Sequence, residues 1–142
     1  MVAKEEKKKI LYVDDEPQLA TIMESRFSSM GYEVVIAANG EEGVKKALET
    51  KPHAIILDQL MPGMDGIETC RKIKALPELE SIPIIIFTCA TEDTLEKNAI
   101  KAGAVGIIYK PTISDLFELM KRVLAGEEID WREYKNYPNA EP

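Results

Sequence analysis

One carboxylate of this sequence, Asp58, directly follows an apolar run over residues 54–57 and precedes a turn rich in Pro and Gly. A short apolar run bounded by turn residues is typical of a buried parallel strand. Because ligands of open α/β sheets bind at the carboxyl ends of the strands, Asp58 is a candidate nucleophile. Taken alone, the pattern is explained more simply by an aspartate that ends a strand or caps the next helix.

Three further acids, Asp14, Asp15 and Glu16, follow the apolar run over residues 10–13. Adjacent carboxylates repel one another, so their placement together at a strand end is costly unless a cation neutralises them. Mg²⁺ prefers hard oxygen ligands of this kind. The sequence therefore indicates a metal site, although Glu16 by itself is also explained as an acid at a helix start.

A hydroxyl and an ammonium complete the set of candidate groups. Thr88 ends the apolar run over residues 82–87, and Lys110 ends the run over 105–109, immediately before Pro111. Carboxylates can hold a metal ion while Lys and Thr bind phosphoryl oxygens, so the set suits a phosphoryl group bridged by Mg²⁺. A carboxylate nucleophile would then form an acyl phosphate, in a reaction that needs mainly positioning and charge neutralisation.

Five apolar runs alternate with amphipathic segments, and this alternation predicts the elements that must position these groups. Strands followed by helices of this length predict an α/β fold with a doubly wound parallel sheet and right-handed crossovers. Every candidate group then lies at the carboxyl edge of that sheet. The predicted strands cover residues 10–13, 34–37, 54–57, 82–87 and 105–109.

Helical spacing also predicts which side chains face the core. In the first helix we expect Ile22 and Met30 to be buried together with the other apolar residues of the stripe. We expect the fourth helix to begin at 91–93 and to bury Ile100. The chain has two cysteines, Cys70 and Cys89, without metal-ligand spacing, and we expect both to be buried, inert thiols of a reducing compartment.

The composition of the 142-residue chain predicts one domain, and its formal charge of −7 argues against a nucleic-acid face. The apolar run after the charged lead is too short for a signal-peptide core, and no later run approaches a membrane span. We therefore expect a cytoplasmic protein without a membrane segment. We expect a charged lead over residues 1–8, a domain over 9–126 and a polar tail over 127–142, which could dock on the domain, extend from it or begin a linker.

Several motifs occur in order along the chain: Asp14-Asp15, Asp58 with Met61-Pro62-Gly63-Met64-Asp65-Gly66, Thr88, and Gly103-Ala104 followed by Lys110-Pro111. Their order and spacing resemble the receiver domain of two-component response regulators, of the single-domain type. The resemblance covers about residues 9–125. It implies a flavodoxin-like three-layer sandwich of five strand-helix units, with the parallel strands in the order 2-1-3-4-5.

The resemblance also implies the chemistry of the site. Asp58 would accept a phosphoryl group from a histidine kinase or a histidine phosphotransfer protein, so the domain would catalyse only its own phosphorylation and dephosphorylation. Asp15 would ligate Mg²⁺ directly and Asp14 mainly through water. Asp58 and the backbone carbonyl of Leu60 would complete the protein ligands, and Mn²⁺ is expected to substitute for Mg²⁺.

The implied signal passes from the phosphoryl group to a protein-binding surface. Lys110 would pair with the phosphate, and Thr88 would hydrogen-bond it and move inward. This movement would bias the surface of the fourth helix, fifth strand and fifth helix toward an unknown output protein. The expected oligomeric state is a monomer or a phosphorylation-dependent dimer.

One residue departs from the family pattern. The family usually has an aromatic switch residue three positions before the lysine, where this chain has Ile107. Tyr109 shares the strand face of Ile107 and is a candidate substitute, about 7 Å further along the strand. We expect Tyr109→Phe to change partner binding less than Thr88→Ala does.

Three other functions are considered. The chain could be a receiver fragment of a larger response regulator or of a hybrid kinase. An aspartate-nucleophile phosphatase of the haloacid-dehalogenase type would need a second acid where this chain has Leu60. A flavodoxin-like protein would need a Ser/Thr/Gly-rich phosphate loop after the first strand, where Asp14 and Asp15 would repel the phosphate of FMN.

Overall fold

The computed structural model describes residues 7–110 and 113–134, so most of the charged lead, Pro111 and the end of the predicted tail lie outside it. In the described residues, helices follow the strands in regular alternation. The strands are β1 Lys9–Val13, β2 Glu33–Ala37, β3 Ala54–Leu57, β4 Ile84–Thr88 and β5 Gly106–Tyr109. The helices are α1 Pro17–Ser29, α2 Gly40–Thr50, α3 Gly66–Lys74, α4 Leu95–Lys101 and α5 Ile113–Leu124.

All strand pairs are parallel, and the sheet order is β2-β1-β3-β4-β5. This order confirms the predicted doubly wound, flavodoxin-like fold. Side chains of β3 and β4 are buried along their whole length, as expected for strands covered by helices on both faces. β5 forms one edge of the sheet.

An apolar cluster lies on each face of the sheet and makes the structure three-layered. On one face, apolar side chains of α2, α3 and α4 pack against the strands, and we call this the α2–α4 cluster. On the other face, side chains of α1 and α5 pack against alternate strand residues, and we call this the α1–α5 cluster. Because successive side chains of a strand point to opposite faces of the sheet, each strand contributes residues to both clusters.

Three apolar side chains that were expected to be buried are exposed: Ile22 by 50%, Met30 by 37% and Ile100 by 40%. Ile22 and Ile100 each lie roughly 120–130° around the helix from the centre of the buried face, at about 100° per residue. Met30 is the C-cap residue of α1 and lies beyond its last helical turn. The stripe predicted from the sequence was therefore too wide.

The start of α4 was also predicted wrongly. The helix begins at Leu95 with Thr94 as its N-cap residue, and the Thr94 side chain makes no capping hydrogen bond. The acids at 92 and 93 precede the helix, and the Glu92 carbonyl accepts a hydrogen bond from the Leu95 N–H at 3.1 Å. A tight turn therefore takes the place of the first predicted helical turn.

The two thiols have different environments. Cys70 is buried, and burial raises the pKa of its thiol to about 11. Cys89 is exposed, which corrects the expectation that both thiols are buried. Its position directly after β4 places it where the chain leaves the sheet.

Residues 127–134 fold back on the domain, one of the arrangements that the sequence left open. A 3₁₀ helix, Trp131–Glu133, contacts β5, and the side chains of Trp131 and Tyr134 are buried. None of the helices that the described residues form has both the length and the apolar character needed to cross a membrane.

Candidate functional site

The candidate groups meet at the carboxyl edge of the sheet. Asp14 directly follows β1, Asp58 follows β3, Thr88 ends β4 and Lys110 follows β5. Because all the strands run in the same direction, their carboxyl ends lie at one edge of the sheet, and these four positions meet there. The structure therefore assembles a site from four separate strand-helix units.

The ammonium of Lys110 lies among carboxylates. Its Nζ is 3.2 Å from Asp14 Oδ2, 3.5 Å from Asp58 Oδ2 and 3.8 Å from Glu16 Oε1. The same Nζ lies 5.5 Å from the centre of the Phe87 ring, whose face also attracts a cation. Burial alone would lower the pKa of Lys110, but the charges of Asp14 and Asp58 outweigh it and raise the pKa.

Asp14 is held at both carboxylate oxygens. The Tyr12 hydroxyl donates a hydrogen bond to Oδ2 at 2.9 Å, and the Glu16 N–H donates one to Oδ1 at 3.0 Å. Only 2% of Asp14 is exposed. Burial, together with the neighbouring Asp14 charge, raises the pKa of the Tyr12 hydroxyl, which therefore keeps its proton and remains a donor.

Asp58 is buried and hydrogen-bonded. The Leu60 N–H donates to its Oδ1 at 3.3 Å, and the Thr88 side chain also hydrogen-bonds its carboxylate. Burial is the main cause that raises the pKa of Asp58; Asp14 raises it further, while Lys110 lowers it. The environment therefore disfavours a negative charge on Asp58 until a further cation is present.

The loop between β3 and α3 closes tightly over the Asp58 backbone. A Cβ at Gly66 would overlap the carbonyl oxygen of Asp58, so only glycine fits at this start of α3. The Gln59 side chain accepts a hydrogen bond from the Ile67 N–H at 2.8 Å. These contacts hold the strand end against the following helix and keep Asp58 in place.

The carboxylates fit a divalent cation. Among the residues that the structure describes, one oxygen from each of Asp14, Glu16 and Asp58 can be grouped within 4.8 Å. Hard carboxylate oxygens at this spacing suit Mg²⁺. The negative charge of three carboxylates exceeds the single charge of Lys110, which leaves a net charge for a cation to neutralise.

Asp15, expected to be a direct ligand, is exposed and lies outside this group. It lines a cavity of about 400 Å³ next to the site, between the loops after β2 and β3. The backbone carbonyl of Leu60 stays a predicted ligand, while the Leu60 side chain is 49% exposed beside Asp58.

Tyr12 and Glu16 also belong to the site; Tyr12 was not predicted, and Glu16 was equally well explained from the sequence as an acid at a helix start. Glu16 is the N-cap residue of α1, but its side chain makes no capping hydrogen bond and lies near Lys110 instead. Tyr12 is two residues before Asp14, so both side chains lie on the same strand face. That spacing was the available signal for Tyr12.

The predicted switch residues lie on β4 and β5. Thr88 is fully buried, its Oγ1 accepts a hydrogen bond from the Ala90 N–H at 3.2 Å, and it pairs in register with Tyr109. Ile107 and Tyr109 are both buried in the α2–α4 cluster, as the shared strand face requires. The Tyr109 hydroxyl donates to Glu96 Oε1 at 3.3 Å, which links β5 to α4.

Comparisons with known proteins agree with this geometry. The family model described as "Response regulator receiver domain" matches residues 10–124. Among curated proteins, the alkaline phosphatase synthesis transcriptional regulatory protein PhoP of Bacillus subtilis is 36% identical over 123 residues, which cover 86% of this chain and 50% of PhoP. The chain thus spans about half the length of this relative.

Solved structures show the same likeness. The chemotaxis protein CheY4 of Vibrio cholerae has a TM-score of 0.78 and 29% identity, covering 83% of this chain and 99% of that one. The receiver domain of the sensor histidine kinase PA1611 of Pseudomonas aeruginosa has a TM-score of 0.76 and 29% identity, covering 84% and 99%. That structure holds a magnesium ion coordinated in its active site cleft.

Proposed function

The chain belongs to the response regulator receiver domain family, and we propose that Asp58 accepts a phosphoryl group from a histidine kinase or a histidine phosphotransfer protein. The observation that carries this proposal is the position of Lys110. Its ammonium lies 3.5 Å from Asp58 and 3.2 Å from Asp14, at the one edge of the sheet where Thr88 also reaches Asp58. A cation and a hydroxyl beside a buried carboxylate are the groups that an incoming phosphoryl group requires.

In the proposed reaction, an oxygen of Asp58 forms a bond to the phosphorus of a phosphohistidine. The phosphorus–nitrogen bond breaks, and its electron pair returns to the imidazole, so that the products are histidine and an aspartyl phosphate. Lys110 and Thr88 bind the phosphoryl oxygens as charge shifts toward Asp58. Because the donor supplies the reactive bond, this chain needs positioned charges and no general base, and we assign it no turnover on a separate substrate.

Asp14, Glu16 and Asp58 are the residues that we propose to hold Mg²⁺, with Asp15 and the Leu60 carbonyl as further candidate ligands. The grouping of three carboxylate oxygens within 4.8 Å supports this assignment. When bound, Mg²⁺ would neutralise the repulsion between the carboxylates and the phosphoryl oxygens. Mn²⁺, which has similar ligand preferences, is a proposed substitute.

We also propose that phosphorylation alters the surface formed by α4, β5 and α5, through Thr88 and with Tyr109 in place of the aromatic residue that Ile107 replaces. The hydrogen bond between Tyr109 and Glu96 supports a connection between the site and α4. An output protein is the proposed partner, because the formal charge of −7 is unfavourable for nucleic acid. A cytoplasmic location and a monomer, or a dimer formed on phosphorylation, complete the proposal.

A narrower alternative is a receiver segment of a larger regulator or of a hybrid kinase. The half-length match to PhoP and the likeness to the receiver domain of a sensor histidine kinase favour it specifically. The proposed division into a lead over residues 1–8, a receiver domain over 9–126 and a tail over 127–142 fits both alternatives. A phosphatase of the haloacid-dehalogenase type is a weaker candidate, because Leu60 stands where that chemistry needs an acid.

Incubation of the protein with acetyl phosphate, with and without Mg²⁺, tests the proposal. We expect a phosphoryl adduct on Asp58 that forms only with Mg²⁺, measured by intact mass and by peptide mapping. Asp58→Asn should abolish the adduct. Asp65→Asn is the matched control, because this nearby acid is an N-cap and asparagine caps a helix equally well.

An adduct that survives Asp58→Asn, or equal labelling without divalent cation, would refute the proposed function. A parallel titration with beryllofluoride and Mg²⁺ would show whether the site binds a phosphoryl analogue. Continuous release of phosphate from small phosphomonoesters would instead support the phosphatase alternative.

A further inference from the structure

Within residues 127–134, the 3₁₀ helix Trp131–Glu133 contacts β5, an edge strand of the sheet. Trp131, which is 3% exposed, belongs to the α2–α4 cluster, while Tyr134, which is 8% exposed, belongs to the α1–α5 cluster. The two aromatic side chains therefore connect the segment to both apolar clusters of the domain. Such a segment protects an edge strand that would otherwise offer unpaired backbone groups to another chain.

The first residue of β5, Gly106, is shaped to this contact. A Cβ at Gly106 would overlap the indole of Trp131. Glycine weakens a strand and often marks the close approach of another group. The indole thus takes the place of a side chain on β5, as expected for a specific docking contact.

Arg122 of α5 also binds residues 127–134, through its guanidinium. Its Nη1 donates to the Tyr134 hydroxyl at 3.1 Å and lies 3.1 Å from Glu133 Oε2, while its Nε lies 3.4 Å from Glu127 Oε1. One guanidinium therefore contacts both ends of the segment. Hydrogen bonds with Tyr134 and Glu133 are the main causes that raise the pKa of Arg122.

We propose that residues 127–134 are a built-in ligand of the α4–β5–α5 surface, which the phosphorylation of Asp58 releases. The release step rests on the proposed function, whereas the docking itself rests on the contacts of Trp131, Tyr134 and Arg122. While the segment is docked, it competes with any protein partner for β5. The apparent dissociation constant of that partner then equals its intrinsic value divided by the fraction of molecules with an open surface.

β5 provides the physical connection between the two sites. Trp131 packs at Gly106, at one end of the strand, and Lys110 follows Tyr109 at the other, a distance of about 13 Å for four residues. A phosphoryl group on Asp58 gives the ammonium of Lys110 a new anionic partner in place of its contacts with Asp14 and Asp58. A resulting shift of Lys110 moves the strand end that carries Tyr109, which belongs to the same apolar cluster as Trp131.

Trp131 is the single tryptophan of the chain, so its fluorescence reports the docking directly. Acrylamide quenching of the full chain should be low for the wild type and higher for Arg122→Gln and for Gly106→Ala. Arg122→Gln loses the guanidinium contacts with Tyr134, Glu133 and Glu127, and the loss of even one such hydrogen bond should shift the docking equilibrium by roughly two- to tenfold. Lys121→Gln, a change at an exposed neighbour on α5, should quench like the wild type. Circular dichroism melts verify that each variant is folded.

Beryllofluoride with Mg²⁺ should increase the quenching of wild-type Trp131 several-fold and leave Asp58→Asn unchanged. Equal quenching of the wild type and Arg122→Gln would overturn the docking equilibrium, and unchanged wild-type quenching despite bound beryllofluoride would overturn the release. Absence of any adduct on Asp58 would instead refute the proposed function and, with it, the release step.

Discussion

At the scale of single residues, the site is a balance of charges around Lys110. Its ammonium, with a side chain 13% exposed, lies within 3.8 Å of Asp14, Asp58 and Glu16. The Tyr12 hydroxyl donates a hydrogen bond to Asp14, and the Thr88 side chain hydrogen-bonds Asp58. The Lys110 ammonium attracts all three carboxylates, but its single positive charge cannot neutralise three negative charges. The site can therefore accept a further cation.

The contrast between Thr88 and Tyr109 makes one prediction at this scale. We expect Thr88→Ala to weaken beryllofluoride binding about tenfold or more, because the variant loses a hydrogen bond to a charged group. Tyr109→Phe loses only the hydroxyl that reaches Glu96 at 3.3 Å and should bind the analogue nearly as well. Titration of each variant in Mg²⁺ measures these affinities.

The same pair tests the path to the output surface. On addition of beryllofluoride, hydrogen exchange of amides in α4 and β5 should change in the wild type and in Tyr109→Phe, but much less in Thr88→Ala. A larger loss in the tyrosine variant would contradict the prediction and would assign Tyr109 the main switching role.

At the scale of elements, β1, β3, β4 and β5 each end at or directly before a functional group, and contacts of the following segment hold the groups of β1, β3 and β4 in place. α3 illustrates this arrangement, since its N-cap residue Asp65 accepts a hydrogen bond from the Glu68 N–H at 2.8 Å. The start of α3 also approaches the Asp58 carbonyl so closely that position 66 must be glycine. α4 differs, because Thr94 makes no side-chain capping bond at its start.

This difference predicts unequal costs of removing the two cap residues. Asp65→Ala should lower the free energy of unfolding by about 1 kcal/mol, the usual cost of losing an N-cap hydrogen bond. Thr94→Ala should change it by less than about 0.5 kcal/mol, as for a surface substitution. Urea denaturation followed by circular dichroism measures both values, and equal losses would show that Thr94 caps α4 in solution.

At the scale of the whole molecule, folding places the Asp58 carboxyl where a negative charge is unfavourable. Burial and Asp14 raise the pKa of Asp58. A carboxyl with a raised folded pKa binds its proton more tightly in the folded state, so its contribution to stability is lost as the pH rises through that folded pKa. Above that pKa, the negative charge of Asp58 therefore costs stability, as do strained groups at many functional sites.

We accordingly expect Asp58→Asn to raise the midpoint of thermal unfolding at pH 7, measured in EDTA. A gain of about 1 kcal/mol would correspond to roughly 2–6 °C in a domain of this size. Mg²⁺ should stabilise the wild type, by about 2.7 kcal/mol at a hundred times its dissociation constant, and should stabilise the variant much less. Destabilisation of the variant in EDTA would show that the ion pair with Lys110 outweighs the cost of burial.

The fold could be predicted from the sequence, because the apolar runs mark strands. Most residues of the candidate site could be predicted too, because four of the strands end at, or directly before, a polar group. Asp14, Asp58, Thr88 and Lys110 are local features of this kind. Helix faces and starts were predicted less well, as Ile22 and Ile100 show, because their burial depends on the width of the face that the sheet covers. Spacing along one segment cannot specify that width.

The sequence by itself determined the order of the elements and the residues at the strand ends, since periodicity and turn residues act over a few positions. Only the tertiary structure decided which of those residues meet. It placed Lys110 on Asp14 across 96 residues, moved Glu16 into the acidic group and left Asp15 outside it. It also decided that Trp131 docks on Gly106, because that contact depends on an open sheet edge that forms only when all five strands have assembled.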